Sequence, residues 1–205
     1  MKLILSILFL SVTVLVATGI ASVQMDIPIP AFTKDVSAIG GLHPLCGVLS
    51  SLGILLWCVA SSASGIGALA IKGRVERRRY LFLLCSALLS AYLLFDDLFL
   101  VHEDLSRRVG LHENIVYLIL GLGVASYVIY FRKTLLRSRV TLFFGALAFL
   151  SASVLADKIA MPSLVKSLGD WQYLVEDGLK WIGILFWACY YVVTSIEMVR
   201  ETYNP

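Results

Sequence analysis

The chain has 205 residues, of which 59% are hydrophobic and only 15% charged, with a mean hydropathy of +0.87. A soluble domain averages roughly 25% charged residues, so this chain has too little polar surface to coat a globule in water. Water-soluble classes are excluded, the length suits one compact domain over residues 1–205, and the net charge of +3 is informative only through its placement.

Crossing about 30 Å of hydrocarbon takes roughly 20 apolar residues. Six runs come close enough to predict an all-α integral membrane bundle of six transmembrane helices. The first covers residues 3–23. Its charged start and the small residues Ala21 and Ser22 resemble a secretory signal, but the apolar stretch exceeds the usual ~7–15 residues. It is read as a retained helix. The second run, 44–71, follows His43 and carries Ser61, Ser62, Ser64, Gly65, Gly67 and Ala68. Small residues predict a close helix contact. Lys72, Arg74, Arg77, Arg78 and Arg79 follow it.

The third run, 80–101, ends in Asp96, Asp97, His102, Glu103 and Asp104. The fourth, 114–131, is opened by His112 and Glu113, contains Gly121 and Gly123, and leads into Arg132, Lys133, Arg137 and Arg139. The fifth, 140–156, is the shortest and closes on Asp157 and Lys158. The sixth, 173–198, carries Glu176, Asp177, Lys180, Gly183 and Trp187 near its start. Trp171, Tyr173, Trp181, Tyr190 and Tyr191 include interface anchors of the usual aromatic kind. Cys46, Cys58, Cys85 and Cys189 lie in apolar runs without CxxC spacing and are read as buried thiols.

Both strongly basic connections, with Lys2 and Arg200, fall on one side of a six-span chain. Basic loops stay in the cytoplasm, which predicts both termini inside. Of the 14 acidic residues only Glu76, Glu197 and Glu201 share that side, and all three histidines lie on the other. Acidic residues contribute little to topology, so this second asymmetry needs its own cause.

A linked cluster of polar groups on the outer side, functional or structural, is the candidate cause. Asp96 lies roughly 25 Å along its helix from Arg79, still at the edge of the hydrocarbon. Two aspartates at that depth cost a few kcal/mol each and must face protein or water. Asp96 and Glu103 are seven apart and share a face where the helix continues. Glu176, Lys180, Gly183 and Trp187 form another stripe, and Glu176 stands in the favourable order for an intrahelical pair with Lys180.

Three readings stay open. In the first, Asp96 and Asp97 pair with Lys180, Lys158 or an outer arginine and lock the bundle. In the second, a divalent metal (Zn, Mn or Fe) is held by Asp96, Asp97, His102, Asp157 and Asp177, a set of nitrogen and oxygen donors suited to those ions. Metal-activated water would attack a lipid or lipid-like substrate, with Glu103 or Glu176 as general base and Lys180 stabilising negative charge. This is the leading expectation, a metal-dependent membrane enzyme. In the third, the same groups pass protons or bind a cation, the inner path being lined by Ser61, Ser62, Ser64, Ser86 and Ser90. A non-enzymatic protein, ion-handling or a subunit of a membrane complex, is thus the alternative. The partners expected are the bilayer, a lipid substrate, and a second copy or another membrane protein. No phosphate loop, haem-attachment motif or nucleophile elbow is present, and the basic loops need no nucleic acid to explain them.

Asp96-Asp97-x4-His102-Glu103 and Glu176-Asp177-x2-Lys180-x2-Gly183 resemble paired signatures of uncharacterised bacterial multipass membrane proteins. That pattern reads Asp-(Glu or Asp)-x4-His-Glu, then Glu-(Glu or Asp)-x2-(Glu or Lys)-x2-Gly. The resemblance implies a bacterial plasma membrane location and a linked polar site facing outside, and brings no activity with it. Three histidines on one side are also similar to the zinc hydrolases of the alkaline ceramidase and adiponectin-receptor type. Their paired His-x3-His is missing here, and their seven spans are six, so that comparison is analogy only.

Overall fold

The computed structural model describes residues 2–34, 36–101, 110, 112–158 and 171–204, with the side chains of 2, 3, 113, 157, 158 and 172 outside the description. The described residues fall into two compact units, 1–48 and 49–205.

The first unit holds α1, Lys2–Met25, and two single-turn helices, α2 at Ile29–Thr33 and α3 at Val36–Gly40. These two lie between the first and second predicted spans. In α1 the stretch Ile4–Met25 is long and apolar enough to cross a membrane, and none of its most apolar window is buried in protein. A helix apolar on every face needs lipid or another helix around it. Its hydroxyls suit that setting: Ser11, Thr13 and Thr18 donate to the carbonyls of Ile7, Phe9 and Val14. Such back-bonding satisfies a hydroxyl without water.

The second unit is built from α4 (Val48–Ile71), α5 (Arg77–Phe99), α6 (Glu113–Arg137), α7 (Val140–Lys158) and α8 (Trp171–Tyr203). Four of these are long and apolar enough to span a bilayer, and α7 contributes the shorter apolar stretch Val140–Ala156. Neighbours alternate in direction. Arg79 at the start of α5 pairs with Glu201 at the end of α8, and Arg139 before α7 pairs with Glu197. Tyr203 Oη donates to the Ala70 carbonyl at the end of α4, 3.0 Å away. The basic connections and the end of α8 therefore share one end of the unit, the basic end. Each predicted span has its helix, and α5, α6 and α8 run past the predicted limits at this end because their basic residues continue helical hydrogen bonding beyond the apolar core.

Aromatic rings fill the centre. Trp187, Tyr190 and Tyr191 of α8, Phe82 of α5 and Phe143 of α7 are all essentially buried. Phe143 packs on Trp187 and Tyr190 with centroids 5.6 and 5.2 Å apart, and Trp187 meets Trp57 edge-on at 5.7 Å. Tyr190 and Tyr191 are thus core residues, whereas Trp171 and Tyr173 are exposed as interface anchors should be. Lipid tails are as apolar as these side chains, so association depends on close packing and interhelical hydrogen bonds. Glycines permit the approach. A Cβ on Gly67 would sit 3.1 Å from Ser195 Cβ, and one on Gly183 would sit 2.9 Å from the Leu150 backbone nitrogen. Gly121 and Gly123 differ: a Cβ on either meets open space.

Tyr127 shows the polar component. Its Oη lies 2.7 Å from Ser86 Oγ and accepts from Tyr191 Oη at 3.1 Å, joining α5, α6 and α8. Tyr127→Phe keeps the ring and removes both bonds, leaving a fully buried Tyr191 hydroxyl. We expect a loss of about 1–2 kcal/mol, read by denaturant titration in detergent, at the upper end of interhelical hydrogen bonds.

Candidate functional site

The end opposite the basic connections carries the predicted carboxylates. Asp96 and Asp97 occupy the last turn of α5, and successive helical residues point about 100° apart, so they face different neighbours. Asp97 Oδ2 accepts from Trp57 Nε1 of α4 at 2.8 Å, and Asp97 Oδ1 lies 2.7 Å from Lys180 Nζ of α8. One carboxylate thereby ties three helices together. Its side chain is 11% exposed and that of Lys180 40%, so the pair straddles the boundary of the protein interior. Asp96 is buried, and both it and Glu176 have interactions within the chain.

Beside the pair lies a cavity of about 50 Å³ bounded by Ser50, Gly53, Asp97, Asp177, Lys180 and Trp181. It has room for water and for no organic ligand. Trp181 Nε1 is buried there without a hydrogen-bond partner among the described residues. A carboxylate with an ammonium, a second carboxylate and an unused N–H around a water-sized space can bind or pass a proton.

The site elements end where a continued helix would have gone further. The helix α5 stops at Phe99, and Leu100 adopts a left-handed conformation with φ of 50°, donating its N–H to the Asp96 carbonyl. That geometry terminates helices. The shared helical face expected for Asp96 and Glu103 is therefore not continued through Leu100. His102 and Glu103 themselves, and the side chain of Asp157, lie outside the described residues. The expected metal set of Asp96, Asp97, His102, Asp157 and Asp177 is represented among them by three aspartates. No group of three or more His, Cys, Asp or Glu side chains among the described residues is placed to hold a metal ion. Of the predicted residues, Asp97, Asp177 and Lys180 come together. Within the stripe on α8, Lys180 and Trp187 reach α5, while Gly183 lies against Leu150 of α7. His112 is the N-cap of α6, whereas His43 lies in the turn between Gly40 and Val48 and does not open α4; each accepts a backbone N–H through Nδ1. The four cysteines are free thiols, but they are not the buried residues expected: Cys46, Cys58 and Cys189 are exposed on the protein surface and Cys85 is half-buried, because Cys46 precedes α4 and the helix faces carrying Cys58 and Cys189 turn away from the aromatic core.

Buried hydroxyls continue inward from this end. Trp187 Nε1 donates to Ser90 Oγ at 2.9 Å. One turn further along α5, Ser86 meets the Tyr127 and Tyr191 pair. Ser64, Thr194 and Ser195 are also buried, and Tyr190 Oη lies 2.7 Å from Ser138 Oγ near the basic end. Ser61 is half-buried, donating to the Ala87 carbonyl, and Ser62 is exposed. Trp57, Tyr127 and Tyr191 were not among the candidates read from sequence. Their signal was present: a Trp N–H or Tyr O–H in the middle of an apolar run has to find a partner.

No curated protein matches the chain, and no solved structure does. A family does match, over residues 7–194, a stretch that includes both acidic segments and the hydroxyls between them. The chain belongs to the family described as Domain of unknown function (DUF8692).

Proposed function

We propose that this protein is a non-enzymatic, proton-handling membrane protein whose Asp97–Lys180 pair is the entry site for the proton. It has six membrane spans with both termini in the cytoplasm of a bacterial cell, and the carboxylate end faces outside. The alternating direction of α4 to α8 and the gathering of basic connections at one end support that orientation.

The observation that carries the reading is the double engagement of Asp97 beside a water-sized cavity. Protonation of Asp97 removes its charge and frees Lys180, which is exposed enough to swing towards water. The pair thus has two states that differ by one proton. The hydroxyls of Ser90, Ser86, Tyr127 and Tyr191 lead from this pair into the interior, in the direction of the opposite end. The same engagement disfavours the metal-dependent lipid enzyme: a carboxylate already neutralised by an ammonium is a poor cation ligand.

Purified protein in liposomes with an entrapped pH dye tests this. Under an imposed potassium diffusion potential, the wild type should acidify or alkalinise the lumen at least about tenfold faster than protein-free vesicles. Asp97→Asn should fall to the protein-free rate. Wild-type vesicles no faster than empty ones would overturn the proposal. Stoichiometric Zn, Mn or Fe in the purified protein, lost on Asp96→Ala or His102→Ala, would restore the enzyme reading instead.

A further inference from the structure

Another cavity of the second unit lies at the basic end, away from the carboxylates just described. It measures about 700 Å³ and opens between the ends of α4, α6 and α8 and the start of α5. That is the size of a site for a small organic ligand. Five cations line it: Arg74, Arg78, Arg79, Lys133 and Arg137. Three carboxylates, Glu76, Glu197 and Glu201, line it too.

The charges do not cancel. Glu201 is taken by Arg79, and Glu197 by Arg139, a residue that is not on the cavity wall. Arg78 and Arg74 are held by aromatic rings: the Arg78 guanidinium lies 5.6 Å from the Tyr130 centroid and that of Arg74 lies 4.8 Å from Tyr203. Ring contacts position a guanidinium and leave its charge in place. Lys133 and Arg137, one turn apart on α6, have no ion-pair partner among the described residues. Glu76 is the remaining carboxylate, so cations prevail.

A further observation points to a ligand. The Nε of Arg78 is buried on the cavity wall without a hydrogen-bond partner among the described residues, and the hydroxyl of Thr194, 1% exposed, has that of Tyr190 as its neighbour. The start of α5 adds one carboxylate to this wall, its N-cap Glu76, and two cations, Arg78 and Arg79.

From these observations we infer that the basic-end cavity is a binding site for a phosphoryl group carrying close to two negative charges. Arg78, Lys133 and Arg137 would contact its oxygens, with the Thr194 hydroxyl as a neutral donor. Arginine favours such a group through its planar fork of donors. The same chemistry is offered by the headgroup of a phosphomonoester lipid and by a soluble phosphate compound. The cavity's position at the end of a membrane bundle gives access to both.

Full-length protein in detergent, titrated with inorganic pyrophosphate and followed by tryptophan fluorescence or thermal unfolding, separates the two. In parallel, nanodiscs of phosphatidylcholine with or without phosphatidic acid are examined by native mass spectrometry for retained lipid. Saturable pyrophosphate binding, weakened at least about tenfold in K133Q/R137Q, assigns a soluble phosphate compound. Phosphatidic acid retention lost in the same variant, without pyrophosphate binding, assigns the lipid. The control is R77Q, which removes a charge from the same end but not from the cavity wall, and it should bind as wild type does. No binding of either probe, or equal losses in R77Q and K133Q/R137Q, would overturn the inference. Both variants change exposed side chains, so folding should be unaffected.

Discussion

Lys180→Met is expected to destabilise the bundle more than Asp97→Asn, although the two changes break the same ion pair. Removing Lys180 leaves a carboxylate that is 11% exposed, without its cation and with the Trp57 N–H as its hydrogen-bond donor. Stranding a buried charge typically costs 3–5 kcal/mol, and partial exposure of this pair reduces that to about 2–3 kcal/mol. The reverse change is milder. Asparagine still accepts from Trp57, and Lys180, 40% exposed, can carry its ammonium to water along its own flexible stem. A loss of about 1 kcal/mol is expected. The double variant Asp97→Asn/Lys180→Met should recover most of the deficit of Lys180→Met, because no charge remains to be stranded. Unfolding in a denaturant series, arranged as a double-mutant cycle, gives all three values. If Lys180→Met is no worse than Asp97→Asn, the carboxylate is better hydrated than its burial implies.

The second large effect concerns the seam between α7 and α8. A Cβ on Gly183 would lie 2.8 Å from Leu150 Cγ and 2.9 Å from Leu150 N. A side chain could rotate away, but a backbone nitrogen moves only with its helix. Gly183→Val should therefore force the two helices apart at a loss of about 3 kcal/mol, the upper end of overpacking. Gly145→Ala is the graded comparison. Its new Cβ would meet the Phe186 ring at 2.8 Å, and a ring can turn, so about 1 kcal/mol is expected. Gly121→Val, facing open space, should change packing by less than about 0.5 kcal/mol. Equal effects at Gly183 and Gly121 would contradict the close approach.

Helix positions were legible in the sequence because lipid imposes a length: a backbone with no water around it must satisfy its own polar groups over the whole crossing. The basic end was legible for the same reason. The candidate site was legible only in part. Asp97 and Lys180 each stood out as charges in apolar runs, and Lys180 was one of three partners considered for the aspartates. Choosing among the three needs the rotation of α5 against α8, which no local pattern encodes. Gly121 and Gly123 show the converse: small residues permit an approach without requiring one. The packing of Gly183 against Leu150 depends on which face of α8 meets α7, and Gly183 shared a predicted stripe with residues that turned to α5. Trp57 was overlooked because an indole in an apolar run reads as bulk, although its single N–H is a demand for a partner.

Among the described residues of the second unit, α7 has the shortest apolar stretch, Val140–Ala156. At about 1.5 Å per residue this is roughly 26 Å of helix, a few ångströms less than the hydrocarbon of an average bilayer. As one of the six proposed spans, α7 would compress the lipid next to it relative to lipid beside its longer neighbours, at a fraction of a kcal/mol per ångström. The protein should settle where acyl chains are short, and its stability in vesicles should peak at a lower chain length than α4 or α8 would choose.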